Sequence, residues 1–109
     1  MKVLTVLVPT YNVEKYLRRC LDSLLLPEVL EEIEVLVVND GSKDGSADIA
    51  RAYEKKYPQT VVFVDKENGG HGSTINVGIE KAQGTYFKVL DSDDWVNIGD
   101  FIEFVKRLK

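Results

Sequence analysis

Short runs of uninterrupted apolar residues alternate along this chain with stretches whose apolar positions recur every three or four residues. Val3-Leu4-Thr5-Val6-Leu7-Val8 is β-branched and apolar on both faces, the pattern of a central parallel strand, and Pro9 is expected to end it. Val13, Tyr16, Leu17, Cys20, Leu21 and Leu24 then form one apolar stripe at helical spacing. Asn12 is its expected N-cap and Pro27 its stop. A second strand spans Glu34 to Asn39, followed by the turn cluster Asp40 to Ser46. Ile49, Ala50, Tyr53 and Tyr57 mark a helix with Ser46 as its expected N-cap, and Pro58 closes it. Val61 to Val64 is the third strand, Asp65 to Gly72 a glycine-rich loop, and Ile75, Gly78, Ile79 and Ala82 a helix whose small residues suit close approach to a sheet. Tyr86 to Leu90 reads as a fourth, buried strand. Ile98, Phe101, Ile102, Val105 and Leu108 make a last amphipathic helix, with Lys106, Arg107 and Lys109 at its negative end. Four strand–helix alternations with short connections predict an α/β fold: a mostly parallel sheet of about four strands, flanked by helices on both faces and joined by right-handed crossovers.

In such sheets ligands bind beyond the carboxyl ends of the strands. Those ends here carry Pro9-Thr10-Tyr11-Asn12, Asn39-Asp40-Gly41-Ser42, Asp65 to Gly72, and Asp91 to Trp95. Nearly every unusual residue of the chain falls on that one edge. Asp91-Ser92-Asp93-Asp94 places three carboxylates within four residues. If Asp91 and Asp93 keep strand geometry they point the same way, repel each other, and need a counter-charge. A hard divalent cation carrying phosphate on its other side would supply one; a solvated acidic turn is the plain alternative.

Asn68 to Thr74 leads glycines into a helix start, where backbone N–H groups and the helix end favour an anion. The loop lacks the Walker pattern, and no G-x-G-x-x-G follows the first strand. His71, the only histidine, either faces a ligand or bonds to loop backbone; alone it is no metal signature. Asp40 either accepts from a base N–H or caps its turn, Tyr11 either stacks on a base or plugs the helix start, and Asp44 fits turn geometry better than ligand.

A length of 109 residues suffices for one domain and not for two. The net charge of -4 argues against a nucleic-acid partner, although a local basic patch remains compatible with phosphate. Cys20 is single and lies on the helical stripe, which reads as core in a reducing compartment. The start Met1-Lys2 and its short apolar run lack a signal-peptide cleavage pattern, and no stretch approaches the roughly 20 apolar residues of a membrane span. A cytoplasmic location, or one at a membrane face, is expected.

Four motifs, in order and spacing, resemble the family 2 glycosyltransferases. They are Val8-Pro9-Thr10-Tyr11-Asn12; Val38-Asn39-Asp40-Gly41-Ser42-Lys43-Asp44-Gly45-Ser46; Asn68-Gly69-Gly70 with Asn76 and Gly78-Ile79; and Gly84 with Asp91-Ser92-Asp93-Asp94-Trp95. Together they cover almost the entire chain. The resemblance implies the GT-A fold, with residues 1–109 as its amino-terminal, Rossmann-like nucleotide-sugar-binding portion and the acceptor-binding half absent. It implies a nucleotide site of Pro9, Thr10, Tyr11, Asn12, Asp40, Gly70, His71, Asp91 and Ser92, with Thr10 and Tyr11 lining a uracil pocket and Asp40 accepting from the uracil N–H. Asp91-Ser92-Asp93 resembles the family's D-x-D motif: Asp91 would reach the ribose, and Asp93, with Asp91 as a second candidate, a Mn²⁺ or Mg²⁺ ion. Trp95 would pack beneath a sugar-facing loop. Many members carry Ala-Arg-Asn where this chain has Thr74-Ile75-Asn76, so a basic contact would fall to Lys66 or His71, or be missing.

The implied chemistry is inverting transfer of a sugar from a UDP-sugar to the hydroxyl of a sugar or lipid-linked acceptor, with the base in the absent half. The competing expectation is a non-catalytic switch or assembly module. A phospho-acceptor receiver would cluster acids at the first strand end, which offers none. A sheet edge left uncovered would favour self-association.

Overall fold

The structure is a computed structural model that describes residues 2–109; Met1 lies outside the described residues. Eight elements alternate: β1 (Leu4–Thr10), α1 (Leu17–Leu24), β2 (Ile33–Asp40), α2 (Ser46–Lys56), β3 (Val61–Lys66), α3 (His71–Lys81), β4 (Tyr86–Val89) and α4 (Ile98–Leu108). The four strands form one parallel sheet in the order β3-β2-β1-β4. Right-handed crossovers carry the chain outward from β1 to β3 and then back across two strands to β4, which requires α3 to lie on the opposite face from α1 and α2. The core divides accordingly. Leu4, Val6 and Val8 with Ile33, Val35 and Val37 pack against α1, α2 and α4. Leu7, Leu36 and Val38 pack against Ile75, Val77 and Ala82 of α3 and its end.

Several local expectations are corrected. Pro9 does not end β1: it lies in the strand opposite Val38. The Leu90 N–H donates to the Leu7 carbonyl, so alternate residues of β1 face β4. Pro9 is on that side, beyond Val89, the last residue of β4, so its missing N–H leaves no acceptor unpaired. β4 is not buried. It is an edge strand with Tyr86 and Phe87 exposed, and burial resumes only at Leu90. Asn12 and Ser46 are not side-chain N-caps. Asn12 has a positive φ of 52°, α1 begins at Leu17, and α2 is capped by Gly45 without a side-chain bond. Asn97 does cap α4, accepting from the Asp100 N–H.

At the amino ends of the strands, Gly84 is fixed by close approach: a Cβ there would meet the Thr5 nitrogen at 2.5 Å. The Gly84 N–H donates to Thr5 Oγ1, which donates to Glu34 Oε1, and that oxygen also accepts from the Gln83 N–H. This buried network seats the entry to β4 and so aims its acidic exit. Among the described residues no helix is long and apolar enough to cross a membrane.

Candidate functional site

The reversal of strand order between β1 and β4 opens a crevice at the carboxyl edge of the sheet, where open α/β sheets hold their ligands. A cleft of about 560 Å³ lies there, lined from β1 by Pro9, Thr10, Tyr11 and Val13, and from β2 by Asp40. Asn68, Gly70, His71 and Thr74 of the α3 entry and Asp91, Ser92 and Asp93 after β4 complete it. Nine of the ten residues singled out in the sequence thus share one cavity. Asn12 is the exception. Its Oδ1 accepts from the Lys43 N–H at 2.8 Å, and its own N–H donates to Ser42 Oγ at 3.0 Å, away from the cleft.

Asn12 belongs to a seam between the β1–α1 and β2–α2 connections. The Val13 N–H donates to Ser46 Oγ, the Glu14 N–H to Asp44 Oδ2, and the Gly45 N–H to Glu14 Oε1. Asp44 Oδ1 accepts from both the N–H and the hydroxyl of Ser46. Burial alone would raise the Asp44 pKa, but the bonds from Ser46 and Glu14 outweigh it and hold the carboxyl below its usual range. The Ser42-Lys43-Asp44-Gly45-Ser46 part of the motif is therefore mainly scaffolding: it clamps the strand ends that present Tyr11 and Asp40.

Asp40 is buried and engaged by donors. Its Oδ1 accepts from Lys66 Nζ at 2.9 Å and the Gly69 N–H at 2.8 Å, and its Oδ2 from the Gly70 N–H at 3.0 Å. Burial pushes its pKa up, and the bonds from Lys66, Gly69 and Gly70 more than reverse that, leaving it below the ordinary carboxylate value. Gly70 has a φ of 90°, which a side chain would resist, and this lets the loop turn its N–H onto Asp40. His71 is not in the loop: it is the first residue of α3. Lys66 Nζ donates also to the Glu67 carbonyl at 2.6 Å and to Ser73 Oγ at 2.8 Å, so its three protons are committed and it does not line the cleft. Among the described residues, His71 is the one basic side chain on the wall. The Lys66 tie had no sequence signal beyond a lysine beside a glycine loop. Of the other wall residues, Val13 reads in the sequence as a helix position, and Asn68 and Thr74 as part of the loop that leads into the third helix.

The opposite rim is built differently. β4 stops at Val89, and the Asp94 N–H donates to the Asp91 carbonyl at 2.9 Å, so Asp91 to Asp94 form a turn and strand alternation does not govern them. Asp91 and Asp93 nonetheless both face the cleft. Asp94 instead accepts from the Trp95 N–H. α1 holds the turn: Cys20 Sγ lies 3.8 Å from the Asp91 carbonyl, and Ser23 Oγ accepts from the Val96 N–H. Burial, then Asp94, Asp93 and Asp91, push the Cys20 thiol up to about 12, which leaves it an inert core group. Trp95 is about half exposed, with the Arg19 guanidinium 4.3 Å from its ring centroid. Among the described residues, no hydrogen bond or ion pair engages the Asp91 or Asp93 carboxylate, and no cluster of three potential metal ligands exists. Two unpaired carboxylates on one wall fit a hard cation that takes its remaining oxygens from a ligand and water.

Comparison with known proteins agrees with the fold. Residues 5–109 match the model of Glycosyl transferase family 2. Glycosyltransferase GlyA of Streptococcus pneumoniae is 40% identical over 100 residues, covering 92% of this chain and 14% of the relative. The minor teichoic acid biosynthesis protein GgaB of Bacillus subtilis is 41% identical over 98 residues, covering 89% of this chain and 11% of the relative. The chain thus spans only a small part of the curated relatives it matches. Among solved structures, S. aureus TarS in complex with UDP-GlcNAc superposes with a TM-score of 0.79 at 35% identity, over 98% of this chain and 32% of that one. The mannosyltransferase PcManGT of Pyrobaculum calidifontis, in complex with GDP-Man and Mn²⁺, gives 0.82 at 27% identity, over 94% and 31%. With its GT-A sheet and motif-lined cleft, the chain belongs to glycosyl transferase family 2.

Proposed function

We propose that this chain forms the donor-binding and cation-binding portion of an inverting transferase that passes a sugar from a UDP-sugar to an acceptor hydroxyl. The observation that carries this reading is the charge of the cleft. Among the described residues, Asp40 is neutralised by Lys66, the Asp91 and Asp93 carboxylates are unpaired, and His71 is the only basic side chain on the wall beside them. A diphosphate cannot enter beside two bare carboxylates unless a cation lies between them. In this reading Tyr11 offers a stacking face to the base, Asp40 a lone pair to a base N–H, and Asp91 a contact to the ribose. Ser92 and the Gly70 edge complete the nucleotide wall, and Asp93 is the principal ligand of Mn²⁺ or Mg²⁺. The bound cation would stabilise charge on the departing diphosphate.

The acceptor-binding elements and the base that takes the acceptor proton would belong to length that the relatives have and this chain does not span. A sugar or a lipid-linked saccharide fits the acceptor class, a cytoplasmic or membrane-face location fits a nucleotide-sugar donor, and self-association fits the exposed β4 edge. Calorimetric titration with UDP and Mn²⁺ tests the reading: wild type should bind, and Asp93→Ala should bind far more weakly. Equal affinity in the two proteins would remove the cation assignment. No nucleotide binding at millimolar concentration in a folded sample would favour a non-catalytic module.

A further inference from the structure

Ile75 of α3 packs with Leu7, Leu36 and Val38 rather than facing the cleft. Lys66 stands beside the glycine loop, yet its ammonium faces Asp40, Ser73 and the Glu67 carbonyl. Ser73 Oγ passes the connection on, donating to the Gly70 carbonyl at 2.7 Å. The side chains of Lys66 and Asp40 are 19% and 6% exposed, so each is the other's main counter-charge in a largely dry setting.

We propose that Lys66 is a positioning residue of the donor site, locking Asp40 and the Glu67–Gly70 loop into the shape that receives the nucleoside while never touching the phosphates. The proposal rests on the donor-binding reading. Without the ammonium, the Asp40 carboxylate stays buried and uncompensated, and its bonds to the Gly69 and Gly70 N–H groups lose their alignment. The loop then regains conformations it was denied, and binding must order it again. The Asp91–Asp93 rim is tied to α1 through Ser23 and is untouched by the change. Lys66 therefore acts on the nucleoside half of the cleft and not on the diphosphate half.

The test compares uridine, which has no phosphate, with UDP in Mn²⁺, using ligand-observed NMR and calorimetry on the full chain. Lys66→Met should weaken both ligands by the same factor, about tenfold for one lost charge-assisted bond network. Amide exchange at Gly69 and Gly70 should accelerate alongside. Loss of UDP binding with uridine affinity retained would place the ammonium on the phosphates and overturn the proposal, as would wild-type affinity for both. Should Lys66→Met not fold, Ser73→Ala decides, since it removes only the outer end of the network: a common loss of about threefold supports the role, and unchanged uridine affinity refutes it. Wild type that binds neither ligand would defeat the donor reading instead, and Gly69 and Gly70 exchange would still decide whether Lys66 holds the loop.

Discussion

The two rims of the cleft carry the same functional group in opposite states. At one, Asp40 is buried and accepts from Lys66, Gly69 and Gly70. At the other, Asp91 and Asp93 are exposed and their carboxylates bond to no described residue. A carboxylate with its donors supplied by the fold stabilises the fold; a carboxylate without them is held ready for something that arrives. In the proposed reading the contrast separates a preorganised nucleoside wall from a diphosphate wall that a cation would complete, and acids in similar Asp-rich motifs are then not interchangeable.

Substitution should expose the contrast most strongly in binding. Asp93→Ala is expected to lower UDP affinity in Mn²⁺ about a hundredfold, or about 2.8 kcal/mol, by calorimetry. Stability should show the reverse ranking. Asp40→Asn is expected to cost about 2 kcal/mol in urea denaturation, because it removes a charge-assisted acceptor and leaves Lys66 without its partner. Asp91→Asn should stay within about 0.5 kcal/mol of wild type, since no protein bond is lost and repulsion with Asp93 is relieved.

Acid sharpens the same comparison. The Asp40 and Asp44 carboxyls lie below the ordinary value of 3.8 in the folded protein. The unfolded chain therefore takes up protons first, so their contribution is complete above that value and is lost as pH falls through the folded one. Urea midpoints should be flat near neutrality and drop below about pH 4, with a shallower drop in Asp40→Asn. The smallest effect concerns the seam. Ser46→Ala removes an acceptor for the Val13 N–H and a donor to Asp44, and should cost about 1 kcal/mol without changing the ratio of UDP to uridine affinity.

Much of this was legible in the chain, because hydrophobic period is local. The runs around Val6, Val37, Val62 and Phe87 gave four strands, and the residues after each gave the edge that became the cleft. What stayed hidden depended on partners distant in sequence. Pro9 can continue β1 only because β4 ends first, which no property of Pro9 reveals. Asn12 resembles a helix cap until the Ser42 hydroxyl and the Lys43 N–H come within reach of it. Asp91 and Asp93 face the same cleft as expected, through a turn and not through strand alternation. Burial of β4 was overread because an apolar run does not say whether a neighbour covers it. Lys66 is the plainest case: its role lies entirely in where Asp40 and Ser73 happen to be.

The sharpest test of the divided cleft is to titrate UDP and uridine into the wild-type chain with Mn²⁺ and again in EDTA. UDP affinity should fall by about two orders of magnitude when the ion is removed, while uridine affinity stays the same. UDP binding that is indifferent to EDTA would show that Asp91 and Asp93 hold no cation for the diphosphate, and the account of the cleft would fail.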